Sequence, residues 1–275
     1  MYLIRQFFKE SIDFFYQIYL NRMLILNLSV RDFEKKYISN FFGFVWAILD
    51  PLAFVLILYL VFGSRYGKTN PEEVPFVVYL ITGYIAYDLF SGTLQSIISS
   101  IFDHSFLLKK VNFKVAILPI VTVFSHLMLH GIVLAICIVV LLFNNIYPVF
   151  FWFQLLYYIV ALSVLLISLG WLTSSIYLFF PDIKNIVGII IHALFFLTPI
   201  FWHIQGLPPG NQFLLKLNPI YYIVNGYRES LTNHRGFWTH PALTLYFWTF
   251  CLIALVIGVI VFKRLRPHFA DVASS

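Results

Sequence analysis

Apolar residues dominate this chain in long uninterrupted blocks, and charged residues fall almost entirely between them. About 20 apolar residues cross a bilayer core as a helix, and six blocks meet or approach that length. They are Phe41–Phe62 (broken only by Asp50), Pro75–Ile101 (broken only by Asp88), Val115–Phe143, Val149–Phe180, the short Ile186–Trp202, and Pro241–Phe262. Val149–Phe180 is longer than one crossing and is expected to tilt or to project from the membrane. The pattern predicts an all-α integral membrane protein of six transmembrane helices over residues 41–263, with a polar-flanked segment 1–40 before it and a tail 264–275 after it.

The three remaining stretches are too interrupted to cross. In residues 1–40 Leu3, Phe7, Phe8, Ile12, Phe15, Ile18 and Tyr19 recur at helical spacing, which predicts one or two helices lying in the interface plane. Arg5, Lys9, Glu10 and Asp13 interrupt any apolar core that a secretory signal would need. The loop Phe102–Lys114 is short and basic. Trp202–His240, with Pro208-Pro209-Gly210 and Asn218-Pro219, is expected to form short helices before the last span.

Composition agrees with the blocks. Hydrophobic residues make up 61% of the chain and charged residues 11%, against about a quarter charged in soluble domains. Six spans put both termini on one side. Of the 18 Lys and Arg, five (Arg65, Lys68, Lys216, Arg228 and Arg235) fall on one side, leaving thirteen on the other. Cytoplasmic loops hold the excess of Lys and Arg, so both termini are expected in the cytoplasm. The net charge of +6 follows this topology and does not indicate nucleic acid. Tyr66, Tyr147, Trp152, Trp202, Trp238 and Tyr246 gather near the outer boundary, as an aromatic belt does.

Several motifs invite a chemical reading. Gly63-Ser64-Arg65-Tyr66-Gly67-Lys68-Thr69 mimics a P-loop, but only three residues separate its glycines where four are needed, and no strand precedes it. Any ATP-driven work therefore belongs to a partner. His126 and His130 have the i, i+4 spacing of metal ligands, but no Glu lies between them and no third ligand is evident, which favours packed or hydrogen-bonded histidines. Cys137 and Cys251 sit in apolar runs and read as core. Ser96/Ser100 and Gly170/Ser174 are small pairs that permit close helix approach.

Asp50 and Asp88 are the intramembrane acids, each costing about 2.5–3.5 kcal/mol to insert. Both readings stand at this level, helix–helix contact or the lining of a pathway. Aromatics form 20% of the chain, and Trp46, Tyr59, Tyr84, Tyr87 and Trp171 lie away from the interfaces. Aromatic faces stack on sugar rings, so a glycan pathway is one reading of them. Arg31, Lys35 and Lys36, next to Tyr37, read either as ordinary anchoring at the cytoplasmic face or as a site that attracts a phosphate-bearing headgroup. A membrane transferase would need acids or histidines gathered at one face, and here they are scattered.

Taken in order, Arg31-Asp32 to Tyr37, Gly43, Trp46-Ala47, Asp50-Pro51, Gly83, Tyr87, Phe90-Ser91 and Leu107-Leu108-Lys109-Lys110-Val111-Asn112-Phe113 with Pro119 form a series. Asp182-Ile183, Thr198-Pro199-Ile200-Phe201-Trp202 and Asn218-Pro219 with Tyr227-Arg228 complete it. The chain thereby resembles the membrane subunits of type-2 ABC exporters that move lipid-linked polysaccharides. Its C-terminal third, through Leu215–Tyr222, Gly226–Leu231 and Thr244–Trp248, looks most like the wall teichoic acid permeases of Gram-positive bacteria. It departs from the pattern at Lys114, where Pro is usual, and at Pro181, where Arg is usual.

The resemblance implies a homodimer in a bacterial plasma membrane with two ATPase subunits below it, which would bind the ATP and Mg, this chain needing no cofactor or metal. It implies a coupling helix over Phe102–Phe113, carrying Phe106, Leu107, Leu108, Lys109 and Lys110, with Asp182–Asn185, including Lys184, as a smaller contact. The expected substrate is a polymer on undecaprenyl diphosphate, wall teichoic acid first and O-antigen or capsule as the alternative. Trp46, Asp50, Tyr59, Tyr84, Tyr87 and Asp88 are the candidates for its path.

Overall fold

The computed structural model of the chain describes residues 19–37, 43–66, 74–108 and 113–272, and among them all regular structure is helical. Helix α1 (Arg22–Tyr37) docks a narrow face on the bundle through Ile25 and Ser29, the Ser29 hydroxyl donating to the carbonyls of Ile25 at 2.8 Å and Val121 at 3.1 Å. Its Met23, Leu26 and Val30 stay exposed, the one-sided apolar arrangement of an interfacial helix. Of the N-terminal apolar series only Tyr19 lies within the described residues.

Helix α2 (Phe44–Tyr66) begins at Gly43, whose φ of 42° is a left-handed conformation that glycine adopts without steric cost. Helix α3 (Phe76–Ile98) is the centre of the molecule, with every residue from Leu80 to Tyr87 buried. A helix covered on all sides needs no apolar stripe, which is why its pattern is uniformly hydrophobic. Two one-turn helices follow, α4 (Ser100–Asp103) and α5 (Ser105–Leu108). A 3₁₀ turn at Val115–Ile117 leads into α6 (Leu118–Phe143), with Pro119 in its first turn. A second 3₁₀ turn, Phe150–Phe153, leads into α7 (Gln154–Tyr177), and α8 (Ile183–Leu197) follows a short turn.

Among the described residues four stretches are long and apolar enough to cross a membrane: Phe76–Ile98, Val115–Phe143, Phe150–Tyr177 and Pro241–His268. Ile48–Gly63 and Ile183–Leu197 are shorter apolar helices at the first and fifth expected spans. The fifth stops at Leu197 and not at Trp202. Thr198 precedes proline and is extended (φ −93°, ψ 130°), the conformation a following proline imposes. Then come α9 (Pro209–Lys216), α10 (Pro219–Arg228), a π-turn at Glu229–Asn233, the long α11 (Pro241–Leu265) and the terminal turn α12 (Phe269–Val272).

Lipid is as apolar as leucine, so helices in a membrane associate through close packing and hydrogen bonds. Two glycines let long helices approach closely. A Cβ on Gly258 of α11 would lie 2.5 Å from the Ser168 carbonyl oxygen of α7, and one on Gly170 of α7 would lie 2.6 Å from Ile97 Cγ2 of α3. Gly170 thus behaves as the small-pair pattern predicts, whereas Ser96 turns to a polar cavity. Trp171 is core, its indole N–H donating to the Ala116 carbonyl at 3.0 Å.

At the end opposite α1, the α10 segment is laced to its neighbours. Asn218 caps α10 by accepting from Ile220 N–H at 3.0 Å and donates to Thr198 Oγ1 at 2.8 Å. Gln154 at the start of α7 donates to Ser230 Oγ at 3.0 Å and accepts from Phe237 N–H at 2.8 Å. Glu229, expected in an outer loop, is buried and meets His240 Nε2 at 2.9 Å.

Candidate functional site

The polar residues of the bundle gather in three adjoining cavities that start at the basic end and run inward beside α3. The first, about 480 Å³, is lined by Asp32, Lys35 and Lys36 of α1, by Gln95, Ser96, Asp103 and His104, and by Lys184 at the start of α8. The second, about 650 Å³, shares Lys36, Gln95 and Ser96 with the first and opens between α3 and α8 past Tyr84, Ser91 and His192. The third, about 330 Å³, shares Tyr37, Phe54, Tyr84, Gly92 and His126 with the second and reaches Asp50, Asp88 and His130.

Lys36 stands where the first two meet. Its ammonium donates to Ser96 Oγ at 2.7 Å and to His126 Nε2 at 2.8 Å. An imidazole accepting through Nε2 carries its proton on Nδ1. Enclosure of the ammonium lowers its pKa from the ordinary lysine value, and Asp32 and Asp103 oppose that shift. His130, one helical turn further along α6, meets the Tyr227 hydroxyl at 3.0 Å. Both histidines are therefore hydrogen-bonded inside the bundle to groups from other helices.

The path candidates separate into two sets. Asp50, Tyr84 and Asp88 come together in the third cavity: the Tyr84 hydroxyl donates to Asp88 Oδ1 at 3.3 Å, and its ring stacks on Phe54 with centroids 5.0 Å apart. Asp88 is half-buried and Asp50 exposed. Tyr87 borders the second cavity, but its hydroxyl donates to the Ile191 carbonyl, tying α3 to α8. Trp46 and Tyr59 lie on the exposed side of α2 and line none of these cavities, and Tyr59 stacks on Phe76.

The three cations of α1 also separate. Lys36 turns into the cavities, Arg31 lines a groove of about 480 Å³ beside Leu24, Leu28, Phe106 and Phe113, and Lys35 borders both spaces. Tyr37 is half-buried between them and the third cavity. In the expected coupling segment Phe102 and Phe106 project outward, while Leu107 is buried with Ile25, Ile101 and Val115. Leu107 is thus an anchor of the segment and not an outward-facing contact. Lys109, Lys110 and the Leu108 side chain lie outside the described residues. Asp182 and Lys184 are exposed at the start of α8, on the same end of the molecule.

The feature that sequence reasoning places differently is Arg228. Assigned by the charge pattern to an outer loop, it is 5% exposed. Its guanidinium donates to the carbonyls of Tyr79 at 3.2 Å, Pro199 at 2.5 Å and Ile200 at 2.7 Å, and lies 3.6 Å from the Tyr79 ring centroid. A Cβ on Gly83 would fall 2.4 Å from its Nη2. Gly83, Thr198–Trp202 and Tyr227-Arg228, three separate stretches of the sequence pattern, are one contact.

This is a multi-pass, all-α membrane protein with a polar interior reached from one end. The chain belongs to the ABC-2 type transporter family, whose pattern matches residues 23–232, and it is a permease-type membrane subunit. Among curated relatives it is 24% identical over 255 residues to an O-antigen export system permease protein of Klebsiella pneumoniae, covering 90% of this chain and 94% of that protein. It is 25% identical over 259 residues to the O-antigen export system permease protein of Myxococcus xanthus, with 93% and 97% covered. It is 22% identical over 249 residues to the polysialic acid transport protein of Escherichia coli, with 89% and 94% covered.

Proposed function

We propose that this chain is the membrane subunit of an ATP-driven exporter that carries a polysaccharide on a polyprenyl diphosphate across a bacterial inner membrane, the polymer being of the O-antigen or capsule class. One observation carries the reading most: the similarity to O-antigen export permeases and to a capsule polysaccharide export protein extends over about nine-tenths of the chain. It favours these polymers over the wall teichoic acid that the C-terminal motifs suggest. In this reading six helices cross the membrane, both termini are cytoplasmic and two copies form the path. Two ATPase subunits bind the ATP and Mg, this chain carrying neither.

Phe106 presents itself to the ATPase, with exposed Asp182 and Lys184 at the same end and Leu107 holding the segment to the bundle. The resemblance adds Leu108, Lys109 and Lys110, of which Lys109, Lys110 and the Leu108 side chain lie outside the described residues. Lys35, Lys36 and Arg31, with Tyr37, receive the diphosphate at the headgroup level, where cationic clusters attract anions. Asp50, Tyr84 and Asp88 border the path inside the membrane, with Tyr87, Trp46 and Tyr59 on its flanks.

The test is ATP hydrolysis by the permease–ATPase complex in lipid vesicles. Polyprenyl-diphosphate-linked glycan should stimulate it, and Arg31→Gln/Lys35→Gln/Lys36→Gln should cut the stimulation at least fivefold while leaving basal hydrolysis intact. Full stimulation of the triple variant at normal assembly would remove the diphosphate role.

A further inference from the structure

We infer that the cavity between α2, α3 and α6 is a subsite for an uncharged sugar unit of the exported glycan and discriminates against anionic units, an inference that rests on the export reading above. Its volume of about 330 Å³ lies at the small end of the range for small-molecule sites. Its walls supply what a sugar ring uses. Phe54 and Tyr84, stacked at 26° to one another, give a flat apolar face, and the Asp50 and Asp88 carboxylates accept hydroxyls. The Tyr84 hydroxyl, donating to Asp88, fixes that carboxylate beside the ring.

Charge decides what can enter. Asp50 and Asp88 are the charged side chains of this lining among the described residues, where no Lys or Arg joins them. Its two imidazoles are engaged elsewhere, His126 Nε2 with Lys36 and His130 Nε2 with Tyr227. Lys35, Lys36 and Lys184, with Asp32 and Asp103 between them, leave the first cavity at the basic end with an excess of positive charge, and Lys36 also lines the second cavity, which joins it to this one. The sign of the lining therefore reverses along the cavities, from cationic at the mouth to acidic within. Phosphate is favoured at the mouth and repelled inside, and repulsion acts strongly at low dielectric. Rings of acidic side chains sort permeating ions in pores by the same physics. An uncharged sugar meets no such barrier.

The experiment uses the full chain with its ATPase in lipid nanodiscs and three probes: farnesyl diphosphate, farnesyl-diphosphate-linked mannotriose, and the same probe with its terminal mannose replaced by isosteric mannuronic acid. Wild type should bind the neutral trisaccharide about tenfold more tightly than the acidic one. Asp50→Asn/Asp88→Asn should bring the two within about twofold, since asparagine keeps the hydrogen bonds and removes the charge. Should the double variant not assemble, Asp50→Asn alone, at an exposed position, should reduce the preference to about threefold. Equal binding of the two trisaccharides by wild type, or a tenfold preference surviving in the variants, overturns the inference. Trisaccharide binding no tighter than farnesyl diphosphate overturns the sugar subsite but leaves export standing. Failure of farnesyl diphosphate to bind counts against the export reading and the subsite together.

Discussion

Arg228 shows how one residue can organise an end of a membrane protein. Its Nε, Nη1 and Nη2 donate to main-chain carbonyls of two other segments and so tie α10 to α3 and to the stretch after α8. Arg228→Ala takes the guanidinium donor from the Ile200 carbonyl, at about 1–3 kcal/mol, while the Tyr79 carbonyl keeps the Thr82 hydroxyl and the Pro199 carbonyl keeps the Tyr79 hydroxyl. The expected outcome is a thermal midpoint in detergent lowered by several degrees, and a shift below about 1 °C would contradict the clamp. Gly83→Ala should lower the midpoint in wild type but cost much less in the Arg228→Ala background, because the clash is with the guanidinium itself. Additive effects would separate the two residues. Each partner is visible in the sequence as a short motif. Their contact is not, because residues 83, 199 and 228 are far apart along the chain and charge counting treats every arginine as solvated. Lys36 meeting His126 is hidden for the same reason.

At the scale of elements, the segment between α3 and α6 combines an anchored side and a free side. Ser99 Oγ donates to Asp103 Oδ2 at 2.8 Å, Leu107 is buried in the basic-end core, and Phe102 and Phe106 face outward. Two one-turn helices cannot hold themselves in water, so their geometry comes from that anchoring. Phe106→Ala should leave the melting temperature unchanged and reduce transport-coupled ATP hydrolysis at least fivefold in the assembled complex. Leu107→Ala should lower the melting temperature, by the roughly 2–5 kcal/mol of a large-to-small core change. The reverse pattern would reassign the two residues. The sequence shows the position and basic character of this segment clearly. It does not show which of the adjacent apolar residues turns inward, because a four-residue helix has too little periodicity to read.

For the whole molecule, the long apolar blocks make the all-α membrane class legible: among the described residues four of them hold a helix long and apolar enough to cross a membrane, and the first and fifth hold shorter ones. One end is set by proline, at Thr198-Pro199. Orientation rests on the asymmetry of Lys and Arg, and labelling checks it. Cys137 and Cys251 are buried, so an introduced cysteine reports alone. Asn233→Cys, at the exposed end near α10, should react with an impermeant maleimide in intact cells, and His268→Cys only after permeabilisation. The opposite result would invert the topology and with it the side from which substrate is taken. Polymer identity is the least legible property, because it depends on cavity lining contributed by several helices. Asp50 and Asp88 can be noticed individually in the sequence, but their shared cavity, whose described lining holds no Lys or Arg, emerges only in three dimensions.

The buried clamp at Arg228 also constrains how the protein is made. During synthesis Pro199 and Ile200 leave the ribosome before Arg228, so their carbonyls reach the bilayer without the group that later binds them. The segment after α8 has the Tyr79 hydroxyl on its Pro199 and Trp202 carbonyls from the start, and gains the guanidinium bonds when α10 has been synthesised. Closure of this end therefore follows the synthesis of α10, and a truncation just before Arg228 removes the guanidinium bonds that join α10 to α3 and to the stretch after α8.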